Sequence, residues 1–159
     1  MQAARQMHLG VFVLGTGNHI AGWRHPGAAR SFEDIRVIQQ IARTAERGCF
    51  DLIFLGDNLS MDPGMHPSFA ARFEPITMLA ALAATTTHVG LGATGSTTYA
   101  EPYNLARQFA SLDHLSGGRA AWNAVTSSGA KAAENFGREH PAHDARYEVA
   151  EEFVDVVRG

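Results

Sequence analysis

The sequence predicts an α/β fold built on parallel strands, and two observations carry that prediction. Short apolar runs alternate with stretches of helical periodicity, and the runs begin near residues 8, 50, 88 and 119, which places successive starts 42, 38 and 31 residues apart. Two parallel neighbours need a crossover of a dozen or more residues between them, usually a helix, and each interval is long enough for one.

Taken in order, His8 to Leu14 (HLGVFVL) reads as the first strand, ending in the turn Gly15-Thr16-Gly17. A polar, glycine-rich loop follows. Ser31 with Asp34 three residues later forms an S-x-x-D variant of the capping box. Ile35, Ile38, Ile41, Ala42 and Ala45 recur at helical spacing before Gly48, so a helix is expected from about 32 to 47. Phe50 to Gly56 is the second strand, closing on Asp57, and a loop rich in Pro, Gly and His covers Asn58 to Arg72. Pro75 suits the first turn of a helix that carries Ile76, Leu79, Ala80, Leu82 and Ala83, and the β-branched Thr85-Thr86-Thr87 weakens it. His88 to Thr94 is the third strand. Pro102 opens a helix with Leu105, Phe109 and Leu112 as its buried stripe and Gly117-Gly118 as its stop, and Arg119 to Thr126 is the fourth strand. The last segment, Asp144 to Arg158, is amphipathic through Tyr147, Ala150, Phe153, Val154 and Val157. Four successive βα units fit either an open doubly wound sheet or part of a (βα)8 barrel. A complete barrel takes about 250 residues, so 159 residues span about half of one.

With 45% hydrophobic and 18% charged residues, the chain has the balance of a single globular domain. A net charge of -3, with Lys and Arg scattered rather than striped, argues against nucleic acid as a partner. No stretch approaches the ~18 apolar residues of a membrane span, and Met1 to Met7 lack the apolar core of a signal peptide, so a cytoplasmic location is expected. Cys49, the single cysteine, sits between Gly48 and Phe50 and is read as a small buried hydrophobe.

In parallel α/β folds, ligands gather at the C-terminal ends of the strands. The polar residues there are Asn18, His19, Trp23, Arg24 and His25, then Asp57 and Asn58, then Thr94, Ser96, Thr97, Thr98 and Tyr99, and finally Asn123, Thr126, Ser127 and Ser128. Hydroxyls and amides outnumber carboxylates. That favours a polar aromatic cofactor, whose ring edges need hydrogen bonds and whose faces need apolar packing, over acid–base hydrolysis. Asp57 is weighed between a cap and a ligand contact. Thr94 and Ser96 are weighed between ligand contacts and bonds to their own loop backbone. Trp122, inside a strand, is read as a core aromatic, and Trp23 is left between core and site. The dinucleotide fingerprint, the P-loop and the nucleophile elbow are all absent. His19, His25, His66, His140 and His143 fall in loops without metal-ligand spacing, so no metal site is assigned. No catalytic residue is assigned.

The segments Phe73 to Leu82 (FEPITMLAAL), Gly90 to Phe109 (GLGATGSTTYAEPYNLARQF), Ala110 to Ser127 (ASLDHLSGGRAAWNAVTS) and Ala133 to Tyr147 (AENFGREHPAHDARY), with the early Trp23-Arg24-His25-Pro26, resemble the bacterial luciferase-like flavin monooxygenases. The resemblance is to the branch that holds nitrilotriacetate monooxygenase, dibenzothiophene sulfone monooxygenase and pristinamycin synthase. It implies that residues 1–159 are the N-terminal portion of one (βα)8 TIM barrel domain whose second half is absent. It further implies a two-component monooxygenase that inserts one oxygen atom from O2 into a small organic substrate, using reduced FMN delivered by a separate NAD(P)H:flavin reductase. Carried over by position, it implies that Asp57 and Thr94 lie near the isoalloxazine ring, that Asn123 extends toward the flavin, and that His143 and Tyr147 flank the ribityl chain or phosphate. The family's main phosphate-binding serine lies in the second half of the barrel. An incomplete barrel is expected to be weakly active or inactive by itself and to self-associate through its open edge. The alternative is a non-catalytic flavin-binding or assembly fragment. Met61, Met65 and Phe69, in the loop after the second strand, are weighed between an apolar pocket lining and plain surface.

Overall fold

A computed structural model of the chain describes residues 6–19, 21–29, 33–62, 64–65 and 72–159. Its centre is a four-stranded sheet in the order β1 (Gly10–Phe12), β2 (Leu52–Leu55), β3 (Gly90–Ser96) and β4 (Ala120–Val125), with every neighbouring pair parallel. The helices α1 (Ile35–Arg47), α2 (Pro75–Ala83) and α3 (Pro102–Ser116) are the crossovers, and α4 (Lys131–Phe136) and α5 (His143–Arg158) follow β4. The four expected βα units are all present. Among the described residues no helix is long and apolar enough to cross a membrane.

The register sorts the side chains into two faces. Val11, Ile53 and Leu91 lie opposite one another, as do Phe12, Phe54 and Gly92 one residue further on. The first set packs under the helices with Val13, Leu55 and Ala93. There it meets Ile38, Ala42 and Ala45 of α1, Met78, Leu79, Leu82 and Ala83 of α2, and Leu112 of α3. Each fully buried leucine or isoleucine in this layer contributes about 1.5–3 kcal/mol relative to exposure. The second set faces away from the helices. Phe12 and Phe54 pair there with ring centroids 5.0 Å apart, and Phe12 is 49% exposed. Gly92 leaves room for them, since a Cβ on it would stand 3.3 Å from Leu52 Cδ1 and 3.5 Å from Phe54 Cδ2.

Helix ends follow capping chemistry, with one revision. Glu74 caps α2, accepting from the amides of Ile76 at 2.9 Å and Thr77 at 2.7 Å, with Pro75 in the first turn as expected. Gly117, at φ 69, ends α3. For α1 the cap is Asp34, which accepts from the Arg36 amide at 3.0 Å, and the helix starts at Ile35; Ser31 lies outside the described residues. The reading of Cys49 is overturned. Gly48 ends α1 at φ -80, while Cys49 takes the left-handed conformation at φ 57 in the turn into β2 and is exposed. The reversal from helix to strand turns the thiol outward. Tyr147 also leaves its expected place in the buried stripe of α5: it is 53% exposed, while Arg146 and Phe153 are buried.

Two charged side chains tie the loops at the N-terminal end of the sheet. Glu46 accepts from three consecutive amides, Thr87 at 2.8 Å, His88 at 2.5 Å and Val89 at 3.1 Å. Arg119 donates to Ser116 O at 2.7 Å, Thr86 Oγ1 at 2.9 Å, Val89 O at 2.8 Å, Thr86 O at 3.0 Å and Ala83 O at 3.3 Å.

Candidate flavin site

At the opposite end, where the strands finish, a cavity of about 560 Å³ opens on the face turned away from the helices. This is the range of small-molecule sites. Phe12, Phe54 and Gly56 form its apolar floor; Asp57, Asn58, Thr94, Ser96, Asn123, Thr126, Ser127 and Ser128 form its polar rim; and Ala132 of α4 and Tyr147 of α5 stand at its side. Four of the five residues implied by the resemblance, Asp57, Thr94, Asn123 and Tyr147, therefore converge on one space. His143 stands behind them. Its ring packs on Tyr147 at 5.0 Å between centroids, and its Nδ1 lies 2.8 Å from Asp144 Oδ1.

Thr94 and Asn123 face each other in the β3–β4 register, and Asn123 Nδ2 donates to Thr94 Oγ1 at 3.1 Å. The Thr94 hydroxyl thus accepts within the protein and keeps its hydrogen for the cavity. Ser96 does bond its own loop, accepting from the amides of Thr98 and Tyr99 at 3.2 Å each. Asp57 accepts from the Asn58 amide at 2.8 Å. Burial pushes its carboxyl above the usual aspartate range; the Asn58 amide opposes that, Glu74 adds to it and Arg72 opposes it. Arg72 itself is lowered, chiefly by burial, and donates to Gly56 O at 3.2 Å.

The Asp57 shift carries a testable consequence for stability. Because the folded chain holds the Asp57 proton more tightly than the unfolded chain does, ionisation at neutral pH works against the fold. That penalty fades as pH falls toward about 4, the unfolded value. Asp57→Asn is therefore expected to raise the melting midpoint at pH 7, a gain limited by solvent screening that shrinks as the pH approaches 4. Thermal melts of both proteins across that range check it; a gain that does not vary with pH would contradict it.

Several sequence candidates lie elsewhere. The Nδ1 of His19 accepts from the Ala21 amide and that of His25 from the Gly27 amide, each at 3.1 Å, and neither ring reaches the cavity. Trp23 is 48% exposed with the Arg24 guanidinium 5.0 Å from its ring centroid. Trp122 packs between Phe109 and Phe153, both at 6.0 Å, and its indole N–H donates to Gly95 O at 3.1 Å, which fits its core reading. Met61 is 70% exposed, Met65 does not line the cavity, and Phe69 and His66 lie outside the described residues. Tyr99 turns away from the cavity. Its ring stacks on Phe136 at 4.9 Å and its hydroxyl meets His140 Nδ1 at 2.7 Å, while Arg146 Nη1 donates to His140 Nε2 at 2.9 Å and to Pro141 O at 2.9 Å. Among the described residues no group of three or more His, Cys, Asp or Glu is arranged to hold a metal ion.

Comparison with known proteins gives a consistent picture. The chain is 54% identical over 157 residues to the N-acetyl-S-(2-succino)cysteine monooxygenase of Bacillus subtilis (strain 168), an alignment covering 98% of this chain and 36% of that protein. It is 46% identical over 171 residues to nitrilotriacetate monooxygenase component A of Aminobacter aminovorans, covering 99% of this chain and 38% of that one. The chain thus spans little more than a third of the length of these relatives. Among solved structures, EDTA monooxygenase from Chelativorans sp. BNC1 superimposes with a TM-score of 0.89 at 36% identity, over 98% of this chain and 38% of that one. Riboflavin lyase with modified FMN and the substrate riboflavin superimposes with a TM-score of 0.86 at 37% identity, over 96% and 37%. The sheet, its order and its helices are thus part of a TIM barrel. Residues 7–159 match the family described as luciferase-like monooxygenase, and the chain belongs to it.

Proposed function

We propose that this chain provides flavin-facing residues of the oxygenase component of a two-component monooxygenase, which uses reduced FMN and O2 to insert one oxygen atom into a small organic substrate. The observation that carries the reading is the cavity itself, an aromatic floor under a rim of hydrogen-bonding groups that are uncharged but for Asp57, which suits a flat heterocycle with a polar edge. Phe12 and Phe54 offer packing for the ring face. Thr94 offers a hydroxyl hydrogen, Asn123 an amide oxygen and Asp57 a carboxyl at the ring edge. Tyr147 lines the cavity and His143 packs on it, and the family resemblance directs these two toward the ribityl chain or phosphate. Bound reduced flavin supplies the reaction with O2; the protein's part is to orient the ring and keep water from it. The relative named as a component A supports a separate NAD(P)H:flavin reductase as the source of reduced FMN. Residues 1–159 are read as the N-terminal portion of the barrel domain, with self-association through the outer edges of β1 and β4.

Sedimentation velocity with FMN, followed at the flavin absorbance, tests this. Flavin is expected to sediment with the protein, and Asn123→Ala is expected to weaken uptake by about tenfold, the value of one hydrogen bond and the Thr94 contact it orders. Flavin that stays at the free boundary at every concentration would overturn the reading.

A further inference from the structure

The segment that follows β2 is held across the sheet by contacts that the flavin reading does not use. Leu59 and Asp62 come after β2 and helix α4 comes after β4, with β3 between the two strands, so a contact between them passes over the end of β3. The described residues make three. Asn135 Nδ2 donates to Leu59 O at 2.8 Å, Lys131 Nζ pairs with Asp62 Oδ2, and Leu59 packs on Tyr99, Ala132 and Ala133. Together they close one wall of the cavity. Asn58, Leu59 and Ser60 line it from one side and Gly129 and Ala132 from the other, and Ala132 is left only 4% exposed.

The two sides of that wall are held unequally. The chain leading into α4 is stapled to the loop after β3: Thr97 Oγ1 donates to Val125 O at 3.2 Å and Thr98 Oγ1 to Thr126 O at 2.8 Å, and Ser127, at φ 51, sets its Oγ 2.8 Å from Ser96 Oγ. The segment after β2 has no such staple. Its apolar anchor is a small cluster separate from the core under the helices. Its ion pair is half-exposed, with side-chain exposures of 58% for Lys131 and 47% for Asp62, and pairs of that kind hold weakly. Lys131 is also the only lysine in the chain. An ammonium makes a point contact where a guanidinium would grip with a planar fork. Small satellite clusters with few polar ties are the parts of a fold that open first, and such local opening is what gates a site.

We infer that residues 58–62 form a strap that controls access to the cavity, with Lys131 and Asn135 as the positioning residues of its catch. The inference rests on the flavin reading only for the identity of the molecule admitted. Two measurements test it. In the first, Ala132→Cys is placed in a Cys49→Ser background, which removes the exposed native thiol, and its labelling by N-ethylmaleimide reports how often the strap lifts. Lys131→Met is expected to speed labelling about threefold and Asn135→Ala about fivefold. Exchanging the charges, Lys131→Asp with Asp62→Lys, is expected to restore the slow rate, which a change in helix stability alone would not do. In the second, stopped-flow mixing with FMN is done on chains without the new cysteine. Lys131→Met is expected to raise association and release rates by similar factors and to leave Kd within about twofold. Labelling rates that ignore both substitutions would overturn the inference. So would faster release with unchanged association, which marks a lost ligand contact rather than a gate. Labelling that responds as expected in a protein that takes up no FMN would end the flavin reading and leave the strap standing.

Discussion

Arg119→Met is expected to lower the free energy of unfolding by about 3 kcal/mol, measured by denaturant titration with the slope unchanged. The methionine keeps much of the aliphatic stem, so the loss isolates the guanidinium. That group satisfies carbonyls at Ala83, Thr86, Val89 and Ser116 together with the Thr86 hydroxyl, joining the end of α2, the start of β3 and the start of β4. Each charge-assisted bond is worth about 1.5–3 kcal/mol, but they share one group and do not add, and the partly exposed carbonyls regain some water. Arg119→Lys is expected to rescue little, since an ammonium cannot replace a planar fork that reaches several acceptors. A loss below about 1 kcal/mol would mean that water replaces the fork.

The second large effect is Gly95→Val, with an expected loss of roughly 3 kcal/mol from overpacking. A Cβ at Gly95 would stand 2.8 Å from Trp122 Nε1 and 3.1 Å from Leu105 Cδ1. Trp122 has little freedom to yield, because Phe109 and Phe153 hold it on either side and its N–H is bonded to Gly95 O. The strain passes to two places that matter for the cavity, Asn123 beside Trp122 on β4 and α5, which carries Phe153 and Tyr147. Flavin affinity is therefore expected to fall along with stability, although position 95 faces the helices. Gly129→Ala is the control: a Cβ there meets nothing within 4 Å, so the melting midpoint should not move. Equal midpoints for Gly95→Val and the unsubstituted protein would show that the indole can move at little cost.

The strands are legible in the sequence because a parallel strand covered by helices is a compact apolar run bounded by turn residues. The same property hides the cavity floor. Phe12 and Phe54 sit in runs that are apolar on both faces, so alternation does not reveal which residues face the helices and which face the open side. Helix α4 gives no signal, since six residues are too few to display a helical period. The residues at the ends of β2, β3 and β4 follow from topology alone, because register sets Thr94 opposite Asn123 and Asp57, just past the end of β2, lines the same cavity. The same rule fails after β1, where His19 and His25 bond amides of their own loop. Cys49 escapes the sequence reading because local hydropathy does not register a left-handed turn. Ser127 stands there as one hydroxyl among several, since neither its backbone conformation nor its partner Ser96 can be read from spacing.

The order of the sheet has a consequence for how the molecule is made. Spatial order and chain order coincide, so among the described residues each strand pairs with the one synthesised just before it, the one just after, or both. As the chain emerges, each new βα unit meets an edge already in place and need not wait for a distant segment, which keeps loop-closure costs modest at every step. The same arrangement means that each intermediate presents one fresh unpaired strand at its growing side. Nascent chains of this architecture are thus most open to mispairing at the strand made last, and the helix that follows a strand does not pair that edge.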